Sequence, residues 1–337
     1  MFGTHTKQVV MVTGAGGSIG SELARQIFLE RPKRLYIVDQ CELSLFNIMT
    51  RLQELPHIKY VDLRPILINC ASDEFVERCA GEQLDFMYHV AAYKHVNMSE
   101  ANPGTYYRNN IMATYHSQCI ASAANAKFVL VSTDKAVHPT NVMGRSKRLC
   151  EMLVLAEANL KESVDRTSIV RFGNVLNSSG SVIPIFKTQI DAGGPVTVTD
   201  RHAERFFMSI TEATSLVVDS IRVHSKQGIF VLDMGPAVNI HSLACNLIEQ
   251  AGHNVTYESP GKGEIKIEFI GLRPGEKVVE ELSYGKVSAT EIARVNSAEE
   301  RCTFGEAEHQ LCLQFGRGNF SELPSGFTWE EGIGPNK

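Results

Sequence analysis

No stretch of the 337 residues approaches the ~20 consecutive apolar side chains that a bilayer-spanning helix needs. The opening "MFGTHTK" has neither an apolar core nor a small-residue cleavage site, so no signal peptide is expected. The 8 cysteines stand singly, with no Cys-x-x-Cys pair and no histidine cluster beside them. That excludes the usual zinc spacings and leads us to expect reduced, buried thiols, no metal site and a cytoplasmic protein. A surplus of positive charge is also missing. The chain carries 33 Lys and Arg against 38 Asp and Glu, a formal net charge of −5, which argues against nucleic acid as a partner. Internal repeats and low-complexity tracts are absent, and the single tryptophan, Trp329, is expected to pack rather than to act. What remains is 43% hydrophobic and 21% charged, the make-up of an ordinary globular protein long enough for one large α/β unit or two modest domains.

Strand and helix patterns alternate along the first half. "KQVVMVTGAGGSIGSELARQIF" runs from a β-branched stretch, Val9 to Thr13, into glycines, and resumes with helical spacing at Leu23, Ile27 and Phe28. Further apolar strands are expected at "RLYIVD", ending on Asp39, and at Pro65–Asn69, Phe86–Ala92, Phe128–Thr133 and Ser168–Gly173. Continuous apolar strands separated by helices predict an α/β fold of Rossmann type, a doubly wound parallel sheet covered on both faces. After Gly173 the pattern loosens into short strands, loops and amphipathic helices, among them "GIFVLDMG", "HSLACNLIEQAG" and "IKIEFIGLRPGEK". We expect residues 1–173 to form the dinucleotide-binding domain, and residues 174–337 to be a smaller C-terminal portion, interleaved with the sheet, that caps its carboxyl edge. Beyond Lys286 the pattern fades.

"GAGGSIG" sets Gly14, Gly17 and Gly20, with Ser18 and Ile19 between the last two, at a strand-to-helix junction. Glycines there allow a sharp turn and close approach to a pyrophosphate, which the helix N-terminus receives with N–H groups and a positive dipole. Asp39 ends the second strand 19 residues after Gly20, near the ~20 expected of a carboxylate that binds ribose hydroxyls. A carboxylate repels a 2′-phosphate, and "DQCE" offers no arginine beside it. NAD is therefore favoured over NADP, unless Arg34 or Arg64 folds over the ribose.

The stretch "STDKAVHPTNVMGRSK", Ser132 to Lys147, leaves another apolar strand with a hydroxyl, an acid and a lysine. Together with "VTGAGGSIGSEL", "HVAAYKHV", "NNIMAT", "RFGNVLNSSGSVIPIF" and "GLRPGEK", it resembles the extended short-chain dehydrogenase/reductases that act on nucleotide sugars, over roughly Lys7 to Tyr284. Within them it is similar to the bacterial UDP-N-acetylglucosamine 4,6-dehydratases of polysaccharide and glycan biosynthesis. Many of those carry an N-terminal membrane region, so this chain is expected to be either a member without one or the catalytic part of one. The resemblance implies an internal redox cycle with NAD: oxidation at C4, loss of water across C5 and C6, and return of hydride to C6.

By the same resemblance Asp134 is the acid for the leaving water, Lys135 the base at C5, Thr133 the hydroxyl on the sugar O4, and Lys147 the lysine on the nicotinamide ribose. Met143, four residues before Lys147, stands where the superfamily carries its tyrosine. A thioether moves no proton, so the O4 proton must pass to Asp134, to a water held by Thr133, or to Tyr93. For Lys135 to serve as a base its pKa must fall well below ~10.4, which burial beside Lys147 would bring about. Asn69 takes the place of the aspartate that meets adenine, and Ala91 and Ala92 flank the cofactor. Lys94, Asn174, Val182, Arg205, Arg273 and Glu276 are implied on the nucleotide-sugar side, with Arg205 and Arg273 clamping the diphosphate. Val90, Asn97 and Ala113 depart from the family pattern, where alanine, proline and glycine are usual. Retention at C5 and a homo-oligomer are expected. Two other functions stay open: a nucleotide-sugar epimerase of the same fold, and a binding protein that lost its chemistry with the tyrosine.

Overall fold

The computed structural model describes residues 3–178, 180–223, 228–300, 303–319, 323, 327–330 and 332–333. Its first half alternates strand and helix in the expected order. β1 (Val9–Thr13) leads through the glycine turn to α1 (Ser18–Leu29), and β2 (Arg34–Asp39) to α2 (Glu42–Gln53). Then come β3 (Asp62–Leu67), α3 (Asp73–Cys79), β4 (Phe86–His89), α4 (Val96–Ala101), α5 (Pro103–Ala123), β5 (Lys127–Val131), α6 (Val142–Leu160) and β6 (Thr167–Arg171). The strands pair in parallel in the spatial order 3-2-1-4-5-6, the order that puts a binding crevice where it reverses, between β1 and β4.

Three of the expected strand ends shift for a physical reason. β3 starts at Asp62, not Pro65, because it is the edge strand; Asp62 and Leu63 are half-buried and Arg64 is exposed, yet they pair with Arg34–Tyr36. β4 and β5 stop at His89 and Val131, before Ala92 and Thr133, because beyond those points the chain leaves the sheet to line a cavity.

The later residues extend the same sheet. Ile229–Leu232 pairs in parallel with β6, Val295–Ala298 runs antiparallel to it, and Val287–Ala289 forms the far edge. One face of the sheet buries α1, α2 and α8 (Ile210–Ser220), through Leu23, Ile27, Phe28, Ile48 and Val217. The other buries α3, α5, α6 and α10 (Glu306–Gly316), through Phe75, Ile111, Leu149, Leu153 and Leu313. α10 packs against α5 and α6 and covers part of that helical layer. A third, smaller core joins α7 (Val182–Asp191) and α9 (Ile240–Gln250) to the strands Val196–Val198 and Glu264–Phe269, around Phe186, Ile248 and Ile267. Among the described residues no helix is long and apolar enough to cross a membrane.

A buried ion network ties α6 to the sheet beneath the Ser132–Lys147 stretch. Glu151 accepts from Arg171 Nε at 2.8 Å, from Arg148 Nη1 at 3.1 Å and from the Ser132 hydroxyl at 2.6 Å. Arg171 also donates to Glu300 at 2.6 Å. Arg148 Nε donates to the Trp329 carbonyl at 2.7 Å, and the indole packs against the core. Among the described cysteines, the expectation of buried thiols holds for Cys70, Cys79, Cys150 and Cys312. Cys119 and Cys245 are partly exposed, and Cys41 is exposed where the chain turns from β2 into α2. Cys302 lies outside the described residues.

Candidate active site

A cavity of about 720 Å³ opens along the carboxyl ends of β1, β4, β5 and β6. Gly14, Gly17, Ser18, Ile19, Gly20 and Asp39 line one end; Thr133, Lys135, Met143, Lys147 and Asn174 line the other. Ala91, Ala92, Lys94 and Asn69 lie along the wall between them.

The glycine turn is shaped by close approach. Gly14 has φ of +65°, and a Cβ on it would come within 2.7 Å of the Ala91 nitrogen; one on Gly20 would lie 1.9 Å from the Gly14 carbonyl oxygen. α1 therefore begins hard against β1, with Gly17 as its N-cap and no side chain there to occupy the space a phosphate would take. Asp39 is held by two backbone donors: Gly16 N–H reaches Oδ2 and Cys41 N–H reaches Oδ1, each at 2.9 Å. Its remaining lone pairs stay available on the cavity side. Arg34 and Arg64 both pair with Asp62, at 2.6 and 2.7 Å, and neither lines the cavity. A glycine cradle, a helix N-terminus and a positioned carboxylate fit a dinucleotide with free ribose hydroxyls. Asn69 lines the cavity as well, with its side-chain oxygen accepting from Ala71 N–H at 2.8 Å.

At the other end, a 3-10 turn, Asp134–Ala136, follows β5. Thr133 Oγ1 donates to Asp134 Oδ1 at 2.8 Å, and Lys135 Nζ donates to the same oxygen at 2.9 Å and to Asn174 Oδ1 at 3.3 Å. Asp134 is fully buried behind Thr133 and Lys135, and Oδ2 has no hydrogen-bond partner among the described residues. α6 delivers Met143 and Lys147, one turn apart, to the cavity wall. Lys147 Nζ donates to the Val131 carbonyl at 2.8 Å, and burial lowers its pKa. Burial also pushes Lys135 down, but Asp134 and Glu280 outweigh it and the net shift is upward. The expected lowering of Lys135 is therefore not found: its neighbours are two carboxylates, and Lys147 is not among the groups that shift it.

The residues implied on the sugar side divide. Lys94 and Asn174 line the cavity; Val182, Arg205, Arg273 and Glu276 do not. Val182 opens α7 and packs on the third core. Arg205 does not present a free fork, because its guanidinium donates to the carbonyls of Glu204, Lys277 and Val278 and to Glu276 Oε1, at 2.7–3.0 Å. Arg273 is exposed. The 271–284 segment is instead a strap over the Asp134–Ala136 turn and the residues that follow it. The Gly275 carbonyl accepts from Thr140 Oγ1 and Asn141 Nδ2, Lys277 Nζ donates to the Val137 carbonyl at 2.7 Å, and the Tyr284 hydroxyl donates to the Ala136 carbonyl at 3.1 Å. The strap also brings in Glu280, whose Oε1 lies 3.8 Å from Lys135 Nζ. The separation of these two residues along the chain, 145 positions, leaves no pattern by which to find it.

Residues 10–300 match the family model described as "Polysaccharide biosynthesis protein". The chain belongs to this family. It is 42% identical over 281 residues to the capsular polysaccharide biosynthesis protein CapD of Staphylococcus aureus, covering 82% of this chain and 45% of that protein; the chain thus spans under half of that relative's length. It is 34% identical over 301 residues to a UDP-glucose 4-epimerase of Rickettsia canadensis (strain McKiel), 85% of this chain and 80% of that one. Among solved structures, Pen from Bacillus thuringiensis superposes with a TM-score of 0.75 at 29% identity, over 93% of this chain and 98% of Pen. The DesIV double mutant (dTDP-glucose 4,6-dehydratase) from Streptomyces venezuelae, solved with NAD bound, has a TM-score of 0.65 at 18% identity, over 81% and 88%. The fold is thus that of the nucleotide-sugar epimerases and dehydratases, a Rossmann-type sheet, here with a cavity at its carboxyl edge.

Proposed function

We propose that the chain is an NAD-dependent hydro-lyase that converts UDP-N-acetylglucosamine to a UDP-4-keto-6-deoxy-N-acetylhexosamine with retention at C5. The observation that carries this reading is the Thr133–Asp134–Lys135 cluster at the cavity end that also holds Lys147. A 4-epimerase has no elimination step and so no use for an added acid and amine. When bound, NAD supplies the acceptor of hydride from C4 and its donor to C6. Gly14, Gly17, Ser18, Ile19 and Gly20 would hold its pyrophosphate, Asp39 its adenosine ribose, and Lys147 the ribose of its nicotinamide.

The chain's own groups then manage protons. Thr133 accepts the O4 proton and, through its hydrogen bond, passes its own to Asp134, which replaces the absent tyrosine in this role. Lys135 removes the C5 proton, made acidic by the neighbouring C4 ketone. Asp134 returns its proton to the departing 6-hydroxyl, and Lys135 returns its proton to the same face of C5 as hydride reaches C6, so acid and base are both restored. In this reading residues 1–173 bind the cofactor, and residues 174–337 mainly the nucleotide sugar, with Lys94 and Asn174 nearest it. The positions of Arg34 and Arg64, away from Asp39, support NAD over NADP.

A second reading, nucleotide-sugar 4-epimerase, is favoured by the Rickettsia relative and by the burial of Asp134. One assay separates them. The chain is incubated with NAD and UDP-N-acetylglucosamine and the product mass is followed. Loss of one water supports the dehydratase. Unchanged mass with a new sugar configuration establishes the epimerase. Tight binding without turnover leaves a binding protein.

A further inference from the structure

Lys135 is held between two buried carboxylates. Asp134 lies on one side, with Oδ1 at 2.9 Å from Nζ and Oδ2 unpartnered. Glu280 lies on the other, its side chain 4% exposed, with Oε1 at 3.8 Å from the same nitrogen and Oε2 without a hydrogen-bond partner among the described residues. The other cations facing Glu280 are engaged elsewhere. Lys277 stands 3.9 Å from Oε2 but donates to the Val137 carbonyl, and Arg205 donates to the carbonyls of 204, 277 and 278 and to Glu276.

We propose that Glu280 is a positioning residue that takes the proton Lys135 must give up before its amine can act at C5. The transfer balances by itself: one N–H bond of the ammonium breaks, one O–H bond forms on Oε1, and no charge enters or leaves the pair. A shift of about 1 Å by the flexible lysine brings the two atoms to hydrogen-bond distance. Burial favours the neutral acid–amine pair over the separated ions, and it pushes the Glu280 carboxyl up from its ordinary range against the pull of Lys135. Asp134 is the poorer acceptor, because Oδ1 already receives the Thr133 hydroxyl and the lysine.

The inference rests on the dehydratase reading, and it predicts an unusual pH dependence. With the proton exchanged inside the pair, the amine form of Lys135 is reached without loss of a proton to solvent. Its share is then independent of pH across the neutral range. In Glu280→Gln the lysine must release its proton to water. Single-turnover solvent-deuterium incorporation at C5 should then rise about tenfold per pH unit through the neutral range, while the parent stays flat. Glu280→Asp should restore the flat profile. A loss in Glu280→Gln that is equal at every pH, or no loss, overturns the proposal.

A second measurement separates failure of this idea from failure of the dehydratase reading. Carboxyl titration of the NAD-loaded protein by difference infrared spectroscopy, parent minus Glu280→Gln, needs no turnover. A carboxyl titrating above the ordinary range, and moving further up in Lys135→Met, supports the proton pair even where no water is lost from the sugar. Absence of that carboxyl overturns the proposal, whatever the reaction.

Discussion

Gly144 sits in the first turn of α6, where the helix meets the turn that carries Lys135. A Cβ at this position would lie 2.2 Å from the Lys135 carbonyl oxygen and 3.2 Å from its carbon, against 3.4–4 Å for ordinary contact. The shortfall exceeds 1 Å, and the obstacle is backbone, which cannot rotate aside. In Gly144→Ala, either α6 withdraws and takes Met143 and Lys147 with it, or the Lys135 backbone moves and breaks the 2.9 Å and 3.3 Å bonds of Nζ to Asp134 and Asn174. A displacement of ~1 Å in a reacting group costs on the order of 10²-fold in rate. Alanine gains ~1 kcal/mol over glycine in a helix, and overpacking costs ~1–3 kcal/mol, so net stability should fall by no more than ~2 kcal/mol. We therefore expect a folded protein whose sugar dehydration, followed by product mass, is about 10²-fold slower. Its NAD affinity, read by fluorescence titration, should be little changed, because the glycine turn at 14–20 is not touched. Gly261→Ala, whose Cβ would meet only the movable Glu264 carboxylate at 3.2 Å, is the companion variant and should behave as the parent. Parental turnover in Gly144→Ala would refute the idea that α6 fixes the place of Lys135. Loss of NAD binding would show that the damage spreads beyond the catalytic turn.

Three further outcomes are expected. Asp134→Asn should lose ~10²–10⁴-fold in elimination while still binding NAD, and normal turnover in it would remove Asp134 from the acid role. Met143→Tyr puts a phenol in the cavity wall without disturbing the fold; it need not gain activity, and a large rate gain would show that removal of the O4 proton limits the parent enzyme. Glu151→Gln leaves Arg148 and Arg171 buried beside a neutral group, which should cost ~3–5 kcal/mol in urea unfolding. The Glu151 carboxyl, opposed by burial but held down by Arg171 and Arg148, falls from the ordinary 4.5 to about 2. Its contribution to stability is thus complete above pH 4.5 and lost as pH falls through about 2. The gap between parent and Glu151→Gln should narrow over that window; a gap independent of pH would mean that the network holds no titrating charge.

The glycine-lined end of this cavity was legible because its determinants are local. β1, the glycine turn, α1 and Asp39 fall within one stretch of chain, where hydrophobic period, glycine spacing and a strand-ending acid reinforce one another. The parallel sheet was legible for the same reason, since its inner strands are buried on both faces and read as apolar runs; β3, an edge strand, is not, and its start was misplaced. The sugar end depends on contacts that no spacing encodes. "RPGEK" offered a plausible phosphate clamp, yet Arg205 is occupied by backbone carbonyls and Arg273 is exposed, because the loop closes over the catalytic turn through Gly275, Lys277 and Tyr284. Lys135 shows how this changes chemistry and not only geometry. Burial alone would make it a ready base. The strap adds Glu280 to Asp134, and the two carboxylates together hold the ammonium in place. A lysine in that setting can act as a base only if one of its own neighbours relieves it of a proton. The group that decides whether "TDK" is an acid–base pair therefore lies on a segment far from it in sequence.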